Sequence, residues 1–376
     1  MALIWCSISS HGYGHAAQVV PVLNELARLV PGLTAILRTM VPPEFFTGRL
    51  GCPWEISQAK QDIGCIQHGP LTIDVEATWA EHFRFHADWE KKVQLEAQAI
   101  RSRAPDLLLS DISYLAIEAG RLAQMPTVGL CNLSWDLVLS PYLAPDQPGH
   151  RNDQRATQRA TQMEALSLIR QAYGNADLML RPTPSLAMNA FPKTAEIGPI
   201  AQPSAADRPG LRKAIGAAVD ERIVLVGFGG IALASLPFQR LDQLNGYRFI
   251  VSGPVPDRCK RISSLSSLPF PFSVLLASAD ILVTKPGYNT VVEAVAHNTP
   301  TIYVRRHNFA DEPSLVEFLH RHGRGIELSQ EDFGAGRWRE AIEAAWTAPS
   351  PRQPAPPPTG AAEAARILAG LLDSPG

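Results

Sequence analysis

Short apolar runs, each stopped by glycine, proline or a small polar cluster, recur along this chain with helix-period segments between them. That alternation predicts parallel strands joined by helices, because a strand covered on both faces reads as an unbroken apolar run. In the first half, runs at 2–8, 33–38, 63–67, 105–110 and 127–130 read as strands, and 177–180 with 196–200 close that half. After the first, Val19, Val20, Leu23, Leu26, Ala27 and Val30 repeat with the spacing of one helix face. Residues 76–102 read as one long helix whose Trp79, Phe83, Phe85 and Trp89 suit either a core or the wall of a pocket, and 151–170 as a polar, solvated helix. In the second half, 222–226, 247–252, 281–283 and 301–306 repeat the strand pattern. Residues 201–210, rich in alanine, proline and small polar groups, have the composition of a linker. A proline-rich stretch at 347–360 precedes a last helix-period segment carrying Ile367, Leu368, Leu371 and Leu372.

The run at 281–283 meets Lys285-Pro286-Gly287, which ends it because proline lacks a ladder donor and glycine opens unusual backbone angles. Asn289 and Thr290 are good N-cap residues, so a helix starts there. Free N–H groups near Tyr288, Asn289 and Thr290, the helix dipole and the Lys285 ammonium converge on one spot suited to a diphosphate. Glu293 lies a turn further in, where a carboxylate accepts hydrogen bonds from a pair of sugar hydroxyls. Thr290 to Glu293 also has the T-x-x-E form of a capping box, which would spend Glu293 on its own helix start.

The first strand likewise runs into a glycine turn, Ser9-Ser10-His11-Gly12-Tyr13-Gly14-His15, which is not the dinucleotide G-x-G-x-x-G. The run at 105–110 presents Asp111 at its carboxyl end, where ligands of open α/β sheets gather. Asp111 and His15 could therefore share a crevice, the carboxylate fixing one imidazole nitrogen and leaving the other as a base. Asp111 could equally cap the helix through 117–122, and His15 could be an ordinary polar residue at a helix start. His11 is the rival base if Gly12 and Gly14 fold the loop over a bound ligand. In Gly227-Phe228-Gly229-Gly230, the glycines at Gly229 and Gly230 either admit a phosphate close to the backbone or only make a tight turn.

With 376 residues the chain is too long for one ordinary core and suits two domains. Its net charge of −2, without a polybasic run, argues against nucleic acid as a partner. No apolar stretch approaches the ~20 residues of a membrane span, which leaves only peripheral membrane contact open. The apolar start has no basic leader and reads as a strand, so a cytoplasmic address is expected. Five scattered cysteines without C-x-x-C spacing read as reduced structural thiols. No D-x-D motif is present, so neither a metal nor a separate cofactor is expected.

The segment from Lys285 to Glu293 resembles the nucleotide-sugar signature of the GT-B type glycosyltransferases, although their plant small-molecule members usually have histidine where Lys285 stands. The form G-H-x-x-x-x-x-P from Gly14 to Pro21 resembles their acceptor-side loop, and the bacterial peptidoglycan N-acetylglucosaminyltransferase has a similar loop. Ser9 to His15, with Cys131-Asn132-Leu133-Ser134-Trp135-Asp136, looks like the glycosyltransferase-like region of plant L-arabinokinases, with none of their kinase half visible. The resemblance implies two doubly wound Rossmann-like α/β domains facing across a cleft. These would be an acceptor-side domain at 1–200 and a donor domain at 211–346, then a connector at 347–360 and a final helix at 361–376 returning to the first domain. It implies His15 as base with Asp111 behind it, and a donor site of Gly229, Gly230, Lys285, Gly287, Tyr288, Asn289, Thr290 and Glu293. Asp311 and Glu312 would touch the donor sugar, where plant enzymes usually have aspartate then glutamine. Arg305 and Arg306 would either hold the diphosphate or pair with that acidic couple as a surface arrangement. On the acceptor side stand His11, Gly14, Asn132 and Asp136, the last two readable also as an ordinary polar loop. The implied activity is transfer of a sugar from a nucleotide diphosphate sugar, UDP above others, to a hydroxyl acceptor, with inversion and without metal. The alternatives are an epimerase or hydrolase on the same donor site, and a non-catalytic nucleotide-sugar-binding protein.

Overall fold

The computed structural model describes residues 2–145, 153–229 and 236–373. Gly230 and the first two residues of the polar segment at 151–170 lie outside the described residues. Seven strands, β1 (Leu3–Ile8), β2 (Thr34–Arg38), β3 (Trp54–Ser57), β4 (Leu107–Asp111), β5 (Thr127–Leu130), β6 (Leu178–Pro182) and β7 (Thr194–Ile197), make one parallel sheet ordered β3-β2-β1-β4-β5-β6-β7. Six more, β8 (Arg222–Val226), β9 (Tyr247–Val251), β10 (Ile262–Ser264), β11 (Ile281–Thr284), β12 (Thr301–Tyr303) and β13 (Gly325–Glu327), make a second, ordered β10-β9-β8-β11-β12-β13. Each sheet reverses its winding beside its first strand, between β1 and β4 and between β8 and β11. A crevice opens at the carboxyl ends of such strand pairs because the connections leave toward opposite faces. The residues at issue all stand at these ends: His15 after β1, Asp111 closing β4, Gly229 after β8 and Lys285 after β11.

Five helices bear on the argument: α1 (Tyr13–Leu29), α2 (Val75–His86), α3 (Tyr288–Ala296), α4 (Glu312–His322) and α5 (Gly360–Asp373). Val19, Val20, Leu23 and Leu26 of α1, Val291, Val292 and Val295 of α3, and Ala364, Ala365 and Leu368 of α5 lie in one buried apolar cluster. The two sheets are thus joined through a shared core, with each large aliphatic side chain contributing roughly 1.5–3 kcal/mol by burial. The last helix packs against α1, and Gly360 N donates to Pro199 O at 3.1 Å.

Two elements differ from the sequence pattern. The third strand is β3, not 63–67; β3 is a half-exposed edge with Glu55 outward, so its apolar signal is weak. Ile63 and Cys65 are apolar because they are buried beside Trp79 and Trp135, not because they join a ladder. The long helix breaks at residues 87–88: α2, capped by Asp74, ends, and a second helix, Trp89–Arg103, begins after Asp88. Trp79 and Phe85 are core residues, 3 % and 7 % exposed.

Candidate functional site

Register sets the first half of the site. Ile8 of β1 pairs with Asp111 of β4, so the chain leading to His15 and the Asp111 carboxylate leave the sheet side by side. His15 Nδ1 lies 3.1 Å from Asp111 Oδ1, while Ser9 N donates to Asp111 Oδ2 at 3.3 Å. Asp111 is fully buried, and Ser113, not Asp111, caps the helix Tyr114–Leu122. The His15 side chain keeps 10 % of its surface open, and with Nδ1 taken, Nε2 is the atom able to accept a proton. Burial disfavours the charged imidazole, but the Asp111 charge and hydrogen bond, with Cys131 beside them, outweigh it and hold His15 well above its usual range.

His11 is differently placed. Its Nδ1 accepts from Cys65 N at 3.2 Å and its Nε2 lies 2.9 Å from the Gln67 amide, so both nitrogens are engaged. Burial, then the charges of His15, Lys285 and Arg306, push it well below the ordinary histidine value. A Cβ on Gly64 would come within 2.5 Å of the His11 ring, so a glycine is needed for the packing that holds it. Behind both histidines sits Asp62, which no motif had marked: it accepts from Ser9 Oγ and from Trp135 Nε1, each at 2.9 Å. Burial pushes its carboxyl up to about 6 against those hydrogen bonds. The donor atoms of His15, Asp111 and Cys131 fall within 4.8 Å of one another, a set that would also suit a soft divalent ion.

Across the cleft, α3 starts two or three residues earlier than the sequence suggests. Gly287 is the N-cap, so Tyr288, Asn289 and Thr290 form the first turn and the T-x-x-E box does not form. Gly287 has φ −128°, extended backbone that any residue adopts, and a Cβ there would rest in ordinary contact with Lys285 Nζ at 3.7 Å. Gly229, at φ +70°, is in the left-handed region that favours glycine. Burial first, then Arg306, lower Lys285 to about 7, with Asp311 and Glu312 pulling the other way. Burial alone raises Glu293 to about 7. Burial thus disfavours the charged form of both groups that flank this helix start.

Other residues bind the domains to each other. Asn289 Nδ2 donates to Gly14 O at 2.7 Å, so Gly14 serves as an interdomain contact. Tyr288 OH donates to Thr183 O at 3.2 Å and accepts from Ile200 N at 3.0 Å. Asn132 Nδ2 donates to Asp311 Oδ2 at 3.1 Å. Two expectations change. Glu312 is fully buried and accepts from Arg306 Nε at 2.6 Å and from the backbone N–H groups of Arg306 and His307, so it organises its own loop and is not free for a sugar. Its pair with Arg306 is an interior one, Arg306 lying over the Phe309 ring at 3.8 Å, not a surface arrangement. The Asp136 carboxylate is taken by Ser134 Oγ at 2.6 Å and Arg170 Nε at 3.3 Å, which removes it from the acceptor side.

These two facing sheets, with a cleft at both switch points, are the fold of the GT-B type glycosyltransferases. No family model matches the chain. UGT2 of Phytolacca americana, solved complexed with UDP-2-fluoro-glucose and pterostilbene, superposes with a TM-score of 0.60 at 16 % identity, over 99 % of this chain and 94 % of that one. In sequence, the chain is 25 % identical over 351 residues to L-arabinokinase of Arabidopsis thaliana, covering 90 % of this chain and 31 % of that protein. It thus spans about a third of that relative's length. It is also 24 % identical over 307 residues to an uncharacterized glycosyltransferase of Methanopyrus kandleri, covering 77 % of this chain and 81 % of that one.

Proposed function

We propose that the protein transfers a sugar from a nucleotide diphosphate sugar to a hydroxyl acceptor, with inversion and without a metal. The observation that carries the reading is the opposition of a buried His15–Asp111 pair and a helix start flanked by Lys285 across one cleft. The acceptor hydroxyl would give its proton to His15 Nε2 as its oxygen bonds to the anomeric carbon, and the bond from that carbon to the diphosphate would break on the opposite side. Asp111 stabilises the imidazolium that forms. The negative charge released onto the diphosphate falls on the first-turn N–H groups of α3 and on the Lys285 ammonium, so no metal is called for. Glu293 would hold the ribose hydroxyls, and the approach near Gly229 would admit phosphate oxygens. A uridine donor is favoured by the UDP sugar in the Phytolacca structure.

The test is a thermal-shift panel of nucleotide sugars followed by transfer assays with hydroxyl acceptors. A rise in melting temperature with one donor, lost in Lys285→Met, supports the donor site. A His15→Ala protein with undiminished transfer would exclude the base assignment, and turnover without any acceptor would point to hydrolysis. A chelator is expected to leave the transfer rate unchanged.

A further inference from the structure

Gln18, Asn132 and Asp311 form a hydrogen-bonded chain across the cleft. Gln18 stands three residues beyond His15 on α1, Asn132 follows β5, and Asp311 stands at the head of α4. Gln18 Nε2 donates to Asn132 Oδ1 at 2.9 Å, and Asn132 Nδ2 donates to Asp311 Oδ2 at 3.1 Å. All are buried, at 3 %, 2 % and 4 % exposure. The carboxylate dictates the polarity of the whole chain. Ionised, it only accepts, so Asn132 turns Nδ2 toward it, Oδ1 then faces Gln18, and Gln18 must answer with Nε2. What is left over at the two ends is Gln18 Oε1 and Asp311 Oδ1, both buried and both without a partner among the described residues.

Two sealed acceptors call for a ligand that brings donors, and the groups that do so at a sugar-transfer site are hydroxyls. We infer that Gln18 is a specificity-determining residue which, with Asp311, reads hydroxyls of the transferred sugar, the intervening amide tying the two readings together. The inference rests on the donor reading above and adds a contact from the first domain. Three residues of helix put Gln18 on the same face as His15, so the hydroxyl it accepts belongs to the ring being attacked. A deoxygenated ring would leave Oε1 or Oδ1 unpaired, which makes the site selective for hydroxylated sugars.

The experiment is calorimetric titration of the wild-type chain, Gln18→Met and Gln18→Glu with UDP, TDP and GDP and with UDP-glucose, TDP-glucose and GDP-mannose. Wild type is expected to bind one sugar conjugate about tenfold tighter than its bare diphosphate. Gln18→Met, similar in length but without either polar end, brings that ratio close to one and leaves affinity for the bare diphosphate unchanged, which also reports an intact fold. Gln18→Glu loses the preference as well, because a carboxylate at each end then competes for the one Asn132 NH₂ group. An unaltered ratio in Gln18→Met overturns the role of Gln18 while the donor reading stands. Equal losses for diphosphate and conjugate overturn it too, since Gln18 would then support the fold and not the sugar. Failure of the wild type to bind any of the six probes overturns the donor reading itself.

Discussion

His15 can act as a base only when neutral, and Asp111 makes the neutral state harder to reach while making the nitrogen a better proton acceptor. The acid limb of kcat/KM should therefore lie above the ordinary histidine value of 6.5, which a pH–rate profile measures. Asp111→Asn should move that limb to lower pH and reduce transfer at pH 8 by roughly 10²–10⁴-fold. Glu293 gives the opposite trade. Its carboxyl, raised from 4.5 to about 7, stays neutral in the folded chain until higher pH, so stability is full below 4.5 and declines as pH rises through 7. Glu293→Gln removes that cost. Urea unfolding at pH 8 should find the variant more stable than wild type by about 2 kcal/mol, discounted for partial exposure, with the two merging near pH 4. Nucleotide-sugar affinity should fall in the same variant. His15, Asp111 and Glu293 were legible because each follows a strand or helix start at recognisable spacing. Asp62 and Gln18 were not: nothing local distinguishes an acid in an irregular loop, or a glutamine on a helix face, from solvated residues.

On the proposed reading, the start of α3 and the loop before α4 hold the donor. Lys285, lowered to about 7, is expected to gain its charge progressively as pH falls through 7, and a bound diphosphate would raise its pKa. Affinity for a nucleotide sugar should then be highest below pH 7 and fall by up to about tenfold per pH unit above it, with uptake of a proton. Calorimetry in buffers of different ionisation enthalpy reads that proton, and Lys285→Met should flatten the dependence. In the loop, Glu312 answers Arg306 Nε and two backbone N–H groups in the interior. Glu312→Ala should cost about 3–5 kcal/mol in urea unfolding, because it strands a buried guanidinium; a loss confined to sugar affinity would return Glu312 to the donor site. The acidic pair was visible as a pair, but not its division of labour: Asp311 turns to the other domain and Glu312 to its own loop.

The cleft is held by a small set of cross-domain bonds. Tyr288 OH spans Thr183 O and Ile200 N from the first helical position of α3, so the turn that offers N–H groups to an anion is also anchored to the first domain. Tyr288→Phe should cost about 1–3 kcal/mol in denaturant unfolding by leaving the Ile200 N–H buried without an acceptor. The alternation of apolar runs and helix-period segments determined by itself that there are two parallel α/β units, since strands buried on both faces and the helices covering them are local patterns. The strand–turn–helix passages around His15 and Lys285 could be located in the same way. Only the tertiary structure decided which carboxylate serves which partner, that residues 63–67 stay outside both sheets and make only a single bridge from Gln67 to Ile73, and that Gln18 meets Asp311 through Asn132. Those outcomes depend on groups far apart in the chain, and hydrogen-bond polarity and burial are settled only when such groups are brought within about 3 Å of one another.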